Sequence, residues 1–369
     1  MDITPKDHRL KLLVALGGCV VMTIIFVLMF GFEVADNSQP KKIGFVNIGS
    51  IDEEGWSKSH YEGLKSACNE FGMKLLVREN IAENTGQCPK AIQELIDEGA
   101  SMIFLASYNY APEAREIIEK HPEVEFATNS SEVKAKNITS YFARMYQGRY
   151  LTGVLAGMRT KSNVIGYVAA MPNSEVYRGI NAFTLGVQRT NPNATVKVIW
   201  TGSWRDDEKE IECAQKLINN YKADVLTYHV DKATICRVAD EMGVDFIGYN
   251  WKPENSSEHC ITSITCRWNV FYKQILRIYL KSEIKNFKSF WLGVKQGVVE
   301  LSSLSGSVTD EQRQKLGLIK QELLGDKPVF IGPIYDNKGV LRCNPGEAVS
   351  ENVLLGNMSY LVRGVEIVE

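Results

Sequence analysis

Two tryptophans stand where a flat ring could be held. Trp56 ends the loop Asn47-Ile48-Gly49-Ser50-Ile51-Asp52-Glu53-Glu54-Gly55-Trp56, which follows an apolar run, and Trp204 lies in Thr201-Gly202-Ser203-Trp204-Arg205-Asp206, which follows another. One tryptophan at the mouth of a helix can be a packing staple. Two at strand ends in opposed halves of a chain read as a sandwich that closes on a planar ligand, each stack contributing about 1 kcal/mol beyond area burial. Asn47, Asn129 and Asn250 each fall at or just past the end of an apolar run. A side-chain amide both donates and accepts, which suits the edge of a heterocycle, although the same residue also satisfies turn backbone. Asp52 either reaches the same place or favours the dipole of the helix that follows. Motifs for catalysis are absent: there is no Gly-x-x-x-x-Gly-Lys loop, no Gly-x-Gly-x-x-Gly after a strand, no His-Glu-x-x-His and no Gly-x-Ser-x-Gly elbow. The five histidines are scattered; His60 and His229 fall near the expected cleft, but no carboxylate or nucleophile is spaced to pair with either. Cys260 and Cys266 with His259 match no standard zinc spacing. The residues describe a binder and not an enzyme, with no cofactor and no metal.

Elements that could position these residues alternate regularly. From 43 to 127 the pattern predicts strands over 43–48, 74–77, 102–106 and 124–127, separated by helices over 56–71, 88–97 and 112–120. The same series recurs as strands over 164–169, 196–200, 225–228 and 246–249, with helices over 175–190, 208–221 and 232–242. Such alternation implies an α/β chain of two doubly wound parallel-sheet lobes. The stretch Cys88-Pro89-Lys90-Ala91-Ile92 corresponds in place to Cys213-Ala214-Gln215-Lys216-Leu217, consistent with a duplicated lobe. Segments 138–159 would carry the chain into the second lobe, and 261–280 would bring it back. Lobe one is therefore expected over 43–143 with part of 267–369 returning to it, and lobe two over 144–266. Open α/β sheets bind ligands beyond the carboxyl ends of their strands, so two facing lobes converge on one cleft.

The first forty residues differ in character. No charge interrupts residues 12–32, and about twenty apolar residues at 1.5 Å each span a ~30 Å hydrocarbon core. Lys6, Arg9 and Lys11 precede this run and Glu33 and Asp36 follow it, so the positive-inside rule keeps a stub, 1–11, in the cytoplasm. A linker over 33–42 then leads to a body on the extracytoplasmic side. Leu16-Gly17-Gly18-Cys19 resembles a lipoprotein box, but most of the apolar run comes after Cys19, which favours an uncleaved anchor over lipidation. Seven further cysteines would in part pair in such a compartment, with Cys213 and Cys236 the first expected bridge. A net charge of −2 gives no electrostatic case for nucleic acid.

At these residues the chain resembles the basic membrane protein family of solute-binding proteins, which includes purine nucleoside receptors of ABC importers. The resemblance runs from about residue 41 to 368. It is strongest over 43–63, Ala143-Arg144-Met145-Tyr146-Gln147-Gly148-Arg149-Tyr150, Gly179-Ile180-Asn181-Ala182-Phe183, 200–206 and the tail from Gly332-Pro333-Ile334 to Leu354-Leu355-Gly356. It implies a type I periplasmic-binding fold that closes on a purine, with the stacking aromatics on Trp56 and Trp204 and polar base contacts on Asn47 and around Asn129. Arg144, Tyr146 and Arg178 are further candidates, and Arg149 and Tyr150 fit a hinge or core equally well. Nucleoside receptors of the family carry acidic residues at Asn47 and Asn250 and a lysine near Cys266; this chain's replacements are weaker partners for a ribose diol. The resemblance therefore implies a free base such as adenine before a nucleoside, a monomer, and a permease and ATPase as partners. A membrane-anchored purine sensor not coupled to transport is the alternative.

Overall fold

Short β-branched and aromatic runs, each bounded by loop residues, form the strands of the body. The computed structural model describes residues 40–369 apart from 53–54, 130–134, 251–256 and 285–288. The expected membrane segment and the linker before residue 40 lie outside these residues. Among the described residues no helix is long and apolar enough to cross a membrane.

The chain order begins β1 (Lys42–Val46), α1 (Trp56–Glu70), β2 (Lys74–Arg78), α2 (Gln87–Asp97), β3 (Ala100–Leu105), α3 (Tyr110–Glu113), α4 (Arg115–Lys120), β4 (Glu125–Asn129) and β5 (Ile138–Ala143). It continues α5 (Met145–Arg159), β6 (Val164–Ala169), α6 (Ser174–Thr190), β7 (Thr195–Trp200), α7 (Asp207–Asn219), β8 (Val225–His229), α8 (Thr234–Glu241), β9 (Asp245–Tyr249) and β10 (Cys260–Cys266). The last part holds α9 (Trp268–Leu280), β11 (Ser289–Leu292), β12 (Val299–Leu301), α10 (Asp310–Leu324), β13 (Ile334–Tyr335), β14 (Leu341–Cys343) and β15 (Val365–Ile367). One sheet runs β11-β5-β4-β3-β1-β2 and is wholly parallel. The other runs β12-β10-β9-β8-β6-β7-β15, parallel except for β12 against β10. These two sheets with helices on their faces are the two α/β lobes the alternation predicts.

The segment after residue 266 divides between the lobes: β11 extends the first sheet, and β12 and β15 extend the second. The chain therefore crosses between lobes between β5 and α5, between β10 and α9, and between β11 and β12. Backbone hydrogen bonds tie the crossings together, Arg144 N to Leu292 O and Arg267 N to Val298 O. In the second lobe α5 and α6 pack backbone to backbone. A Cβ on Gly153 would fall 2.0 Å from Phe183 O, and one on Gly186 would fall 2.1 Å from Tyr150 O. Only glycine permits that approach, and it fixes α5, and with it the Arg149 side chain, under the second sheet.

Candidate ligand-binding site

The carboxyl ends of β1, β3 and β4 face those of β8 and β9 and the loop after β7. Between them lies a cleft of about 420 Å³, part of it open to solvent. Lobe one contributes Ile48, Trp56, Ser107, Tyr108 and Asn129; lobe two contributes Glu175, Trp204, His229, Asp231, Tyr249 and Asn250.

Trp56 is the first residue of α1, and its indole is fixed from two sides. Nε1 donates to Ala106 O just past β3 at 2.9 Å, and the ring rests on His60 with centroids 4.1 Å apart. His60 in turn packs on Trp268 at 3.7 Å and shares a hydrogen bond with the Tyr272 hydroxyl through Nδ1. Burial holds the His60 imidazole well below its usual pKa, so it is neutral at pH 7. A neutral, packed ring is a rigid backing for the tryptophan.

Trp204 comes from the loop that follows β7. Its carbonyl accepts from Asp231 N at 2.8 Å, and its ring centroid is 6.0 Å from that of His229. Trp204 Nε1 and Asn250 Oδ1 are buried without a hydrogen-bond partner. Leaving such atoms unmade costs about 1–3 kcal/mol each, which a ligand bearing complementary groups would recover. Asn250 is held in place by its own backbone, with φ near +60 and N donating to Ile264 O at 2.8 Å. Burial, and then the nearby Arg149 guanidinium, depress the His229 pKa to about 4, leaving this side chain neutral with Nε2 3.7 Å from Glu175 Oε1.

Glu210 supports the Trp204 loop from inside. Its Oε1 accepts from Asp206 N at 3.2 Å, and Asp206 caps α7 by accepting from Lys209 N at 3.1 Å. Burial pushes the Glu210 pKa up to about 7. The folded value lies above the unfolded one, so the neutral carboxyl is favoured in the fold. That stability is present below pH 4.5 and is lost as pH rises through about 7. Glu210→Gln keeps the acceptor and removes the charge. Its melting temperature should match the wild type at pH 4.5 and exceed it at pH 8, by an amount equivalent to about 1–3 kcal/mol. Equal melting temperatures at pH 8 would contradict this.

Of the residues singled out from sequence, the structure brings Trp56, Trp204, Asn129 and Asn250 together around the cleft. Asn47 does not line it: wholly buried at the end of β1, it donates through Nδ2 to Gly49 O at 3.3 Å and shapes the loop before Trp56. Asp52 is exposed in a turn and is not among the residues that line the cleft. Arg144 is taken up by the crossing segments, with Nε on Trp291 O at 3.0 Å, Nη1 on Tyr146 OH at 3.2 Å, an ion pair to Glu351 and its guanidinium over the Trp291 ring. Tyr146 lines a smaller chamber beside the cleft. The expected Cys213–Cys236 bridge is not formed; all seven cysteines of the described residues are free, and these two are buried as small apolar side chains of α7 and α8. Glu175, Asp231 and Tyr249 were not anticipated. Each sits at the end of a strand or at the start of the helix after one, so the strand-end rule applied to every strand would have found them.

Residues 40–326 match the family model described as ABC transporter substrate-binding protein PnrA-like. The chain belongs to that family. It is 30% identical over 353 residues to a purine-binding protein of Brucella abortus, covering 94% of this chain and 99% of the relative. It is 28% identical to a Haloferax volcanii protein whose name provisionally makes it the glucose-binding protein of an ABC transporter, covering 90% of this chain and 84% of that one. The fold is also that of a solute-binding protein of an ABC transporter system from Aeropyrum pernix, with a TM-score of 0.65 at 17% identity over 80% of this chain and 94% of that chain. The chain is thus a type I periplasmic-binding-like α/β protein of a solute-binding family, whose partners are a small-molecule ligand and transporter subunits.

Proposed function

We propose that this protein captures a purine for an ABC importer by closing its two lobes on the ring. The observation that carries the reading is the pair of indoles, Trp56 from lobe one and Trp204 from lobe two, on one cleft that also holds the partnerless Trp204 Nε1 and Asn250 Oδ1. Indole faces suit a flat aromatic ring better than a sugar, which agrees with the name of the Brucella relative and not with that of the Haloferax one. A free base such as adenine is the first choice and a nucleoside the second. Asn250 offers a ribose diol no charge and, with Trp204 Nε1, suits the edge of a base; Glu175 and Asp231 are the carboxylates a nucleoside's diol would have to use instead.

The body works outside the cytoplasm, tethered by the apolar segment at 12–32, as a monomer whose closed shape a permease reads. The test is calorimetric titration of the full chain, unfolded and refolded to strip carried ligand, with adenine, guanine, hypoxanthine, adenosine and guanosine. Sub-micromolar binding of a base supports the reading. Tight binding of nucleosides alone would shift it to the second choice, and binding of no purine would sink it.

A further inference from the structure

A second, narrow chamber, with room for about one water-sized group, adjoins the cleft and shares Glu175, His229 and Tyr249 with it. Its other walls include Tyr146, Arg149 and Arg178. Both arginines are buried, Arg149 with no exposure at all. A guanidinium carries five N–H donors and cannot shed its charge, so burial calls for several acceptors. Arg149 finds few: Nη1 reaches Thr227 Oγ1 at 3.3 Å, while Nε and Nη2 have no hydrogen-bond partner. Its guanidinium carbon stands over the Tyr249 ring, 3.7 Å from the centroid, a cation–π contact that gives Nε and Nη2 no hydrogen-bond acceptor. Arg178 spends donors on the carbonyls of Leu354 and Leu355. Among the described residues neither arginine forms an ion pair. Glu175 is the one carboxylate in the chamber wall, so two guanidinium charges stand against one.

An uncompensated buried cation costs several kcal/mol unless something supplies a partner. Here the cation lines a chamber that shares three wall residues with the ligand cleft. We propose that this chamber is a second subsite of the cleft, and that Arg149 is its specificity-determining residue, donating through Nε and Nη2 to an edge of the ligand that only accepts hydrogen bonds. Ring nitrogens without hydrogen, carbonyl oxygens and carboxylates have that chemistry; amino and N–H edges do not. For the identity of the ligand this rests on the purine reading. Free bases and nucleosides both present bare ring nitrogens, because the sugar replaces the one ring N–H, so the subsite selects for an acceptor edge and does not by itself separate the two.

Arg149→Met removes charge and donors at similar length, and Arg149→Lys keeps the charge on a point donor. The full chain of each is titrated with the purine that binds wild type most tightly, and melted without ligand. Arg149→Met should weaken binding by about tenfold or more, Arg149→Lys by less, and the ligand-free melting temperature of Arg149→Met should not fall, because an unpaired buried charge has gone. Binding within about threefold of wild type would overturn the proposal, as would a parallel loss of ligand-free stability and affinity, which marks a merely structural role. If wild type binds no purine, the purine reading fails by itself, and sodium formate is the probe. A formate-induced rise in melting temperature in wild type but not in Arg149→Met keeps the subsite; an equal effect, or none, overturns it.

Discussion

Trp204→Ala should abolish most of the affinity while leaving the ligand-free protein folded. Truncating a central aromatic anchor costs about 2–4 kcal/mol, a factor of roughly 30 to 1000 in Kd. Trp204 is the cleaner of the two tests because it is half-buried on a loop with its Nε1 committed to no protein acceptor. Trp56 is bonded to Ala106 O and packed on His60 and Trp268, so Trp56→Ala also opens a cavity in lobe one. Calorimetry should show both variants losing ligand, with the melting temperature falling chiefly in Trp56→Ala. Trp56→Phe should retain part of the stacking. Wild-type affinity in Trp204→Ala would remove the indole sandwich from the account.

A second large effect is expected at Gly55, far smaller as a residue than either tryptophan. The lobes meet where Gly55 pairs with Lys232 in an isolated antiparallel bridge. Gly55 has φ +138, a conformation that side chains disfavour, and a Cβ there would fall 2.0 Å from Asp231 O. The Asp231 loop is itself anchored, Asp231 N to Trp204 O and Lys232 Nζ to Asp207 Oδ2 at 3.0 Å, so it has little room to yield. Gly55→Val should therefore block closure without touching either core. The clash belongs to the contact between lobes and the positive φ adds strain within lobe one, so the ligand-free melting temperature should fall modestly while affinity falls much further. A ligand whose binding requires the closed state loses affinity by whatever factor that state is depopulated, about a hundredfold or more for a few kcal/mol of clash. Small-angle scattering should show a radius of gyration that no longer contracts with ligand. Ligand-induced contraction in Gly55→Val would mean that the bridge does not gate closure.

Up to residue 280 the layout of the body was open to reading from periodicity because most strands are short apolar runs and most helices carry an apolar stripe. Lys42–Val46, Val164–Ala169 and Val225–His229 are of this kind, buried almost throughout. The short strands beyond residue 280, such as Leu341–Cys343, carry no such run and are not legible in this way. Strand ends then located Trp56, Trp204, Asn129 and Asn250. Which way a strand-end side chain turns depends on the loop beyond it, and there the sequence is silent. Asn47 turns under its own loop and Asn250, with its left-handed backbone, turns into the cleft, although both are asparagines just past β-strands. Arg149 was hidden for another reason. It lies within the long helix Met145–Arg159, and only the glycine-mediated contact of that helix with Ser174–Thr190 brings its guanidinium to the chamber. The free Cys213 and Cys236 show the limit of pairing by adjacency of helices: burial as small apolar groups satisfies both without a bridge.

The central claim is tested most directly by a crystal structure of the ligand-stripped full chain soaked with adenine. The account predicts the base lying between the indoles of Trp56 and Trp204, with an acceptor edge toward Arg149. A base bound elsewhere, or a cleft that stays empty at saturating adenine while another class of solute fills it, would contradict it.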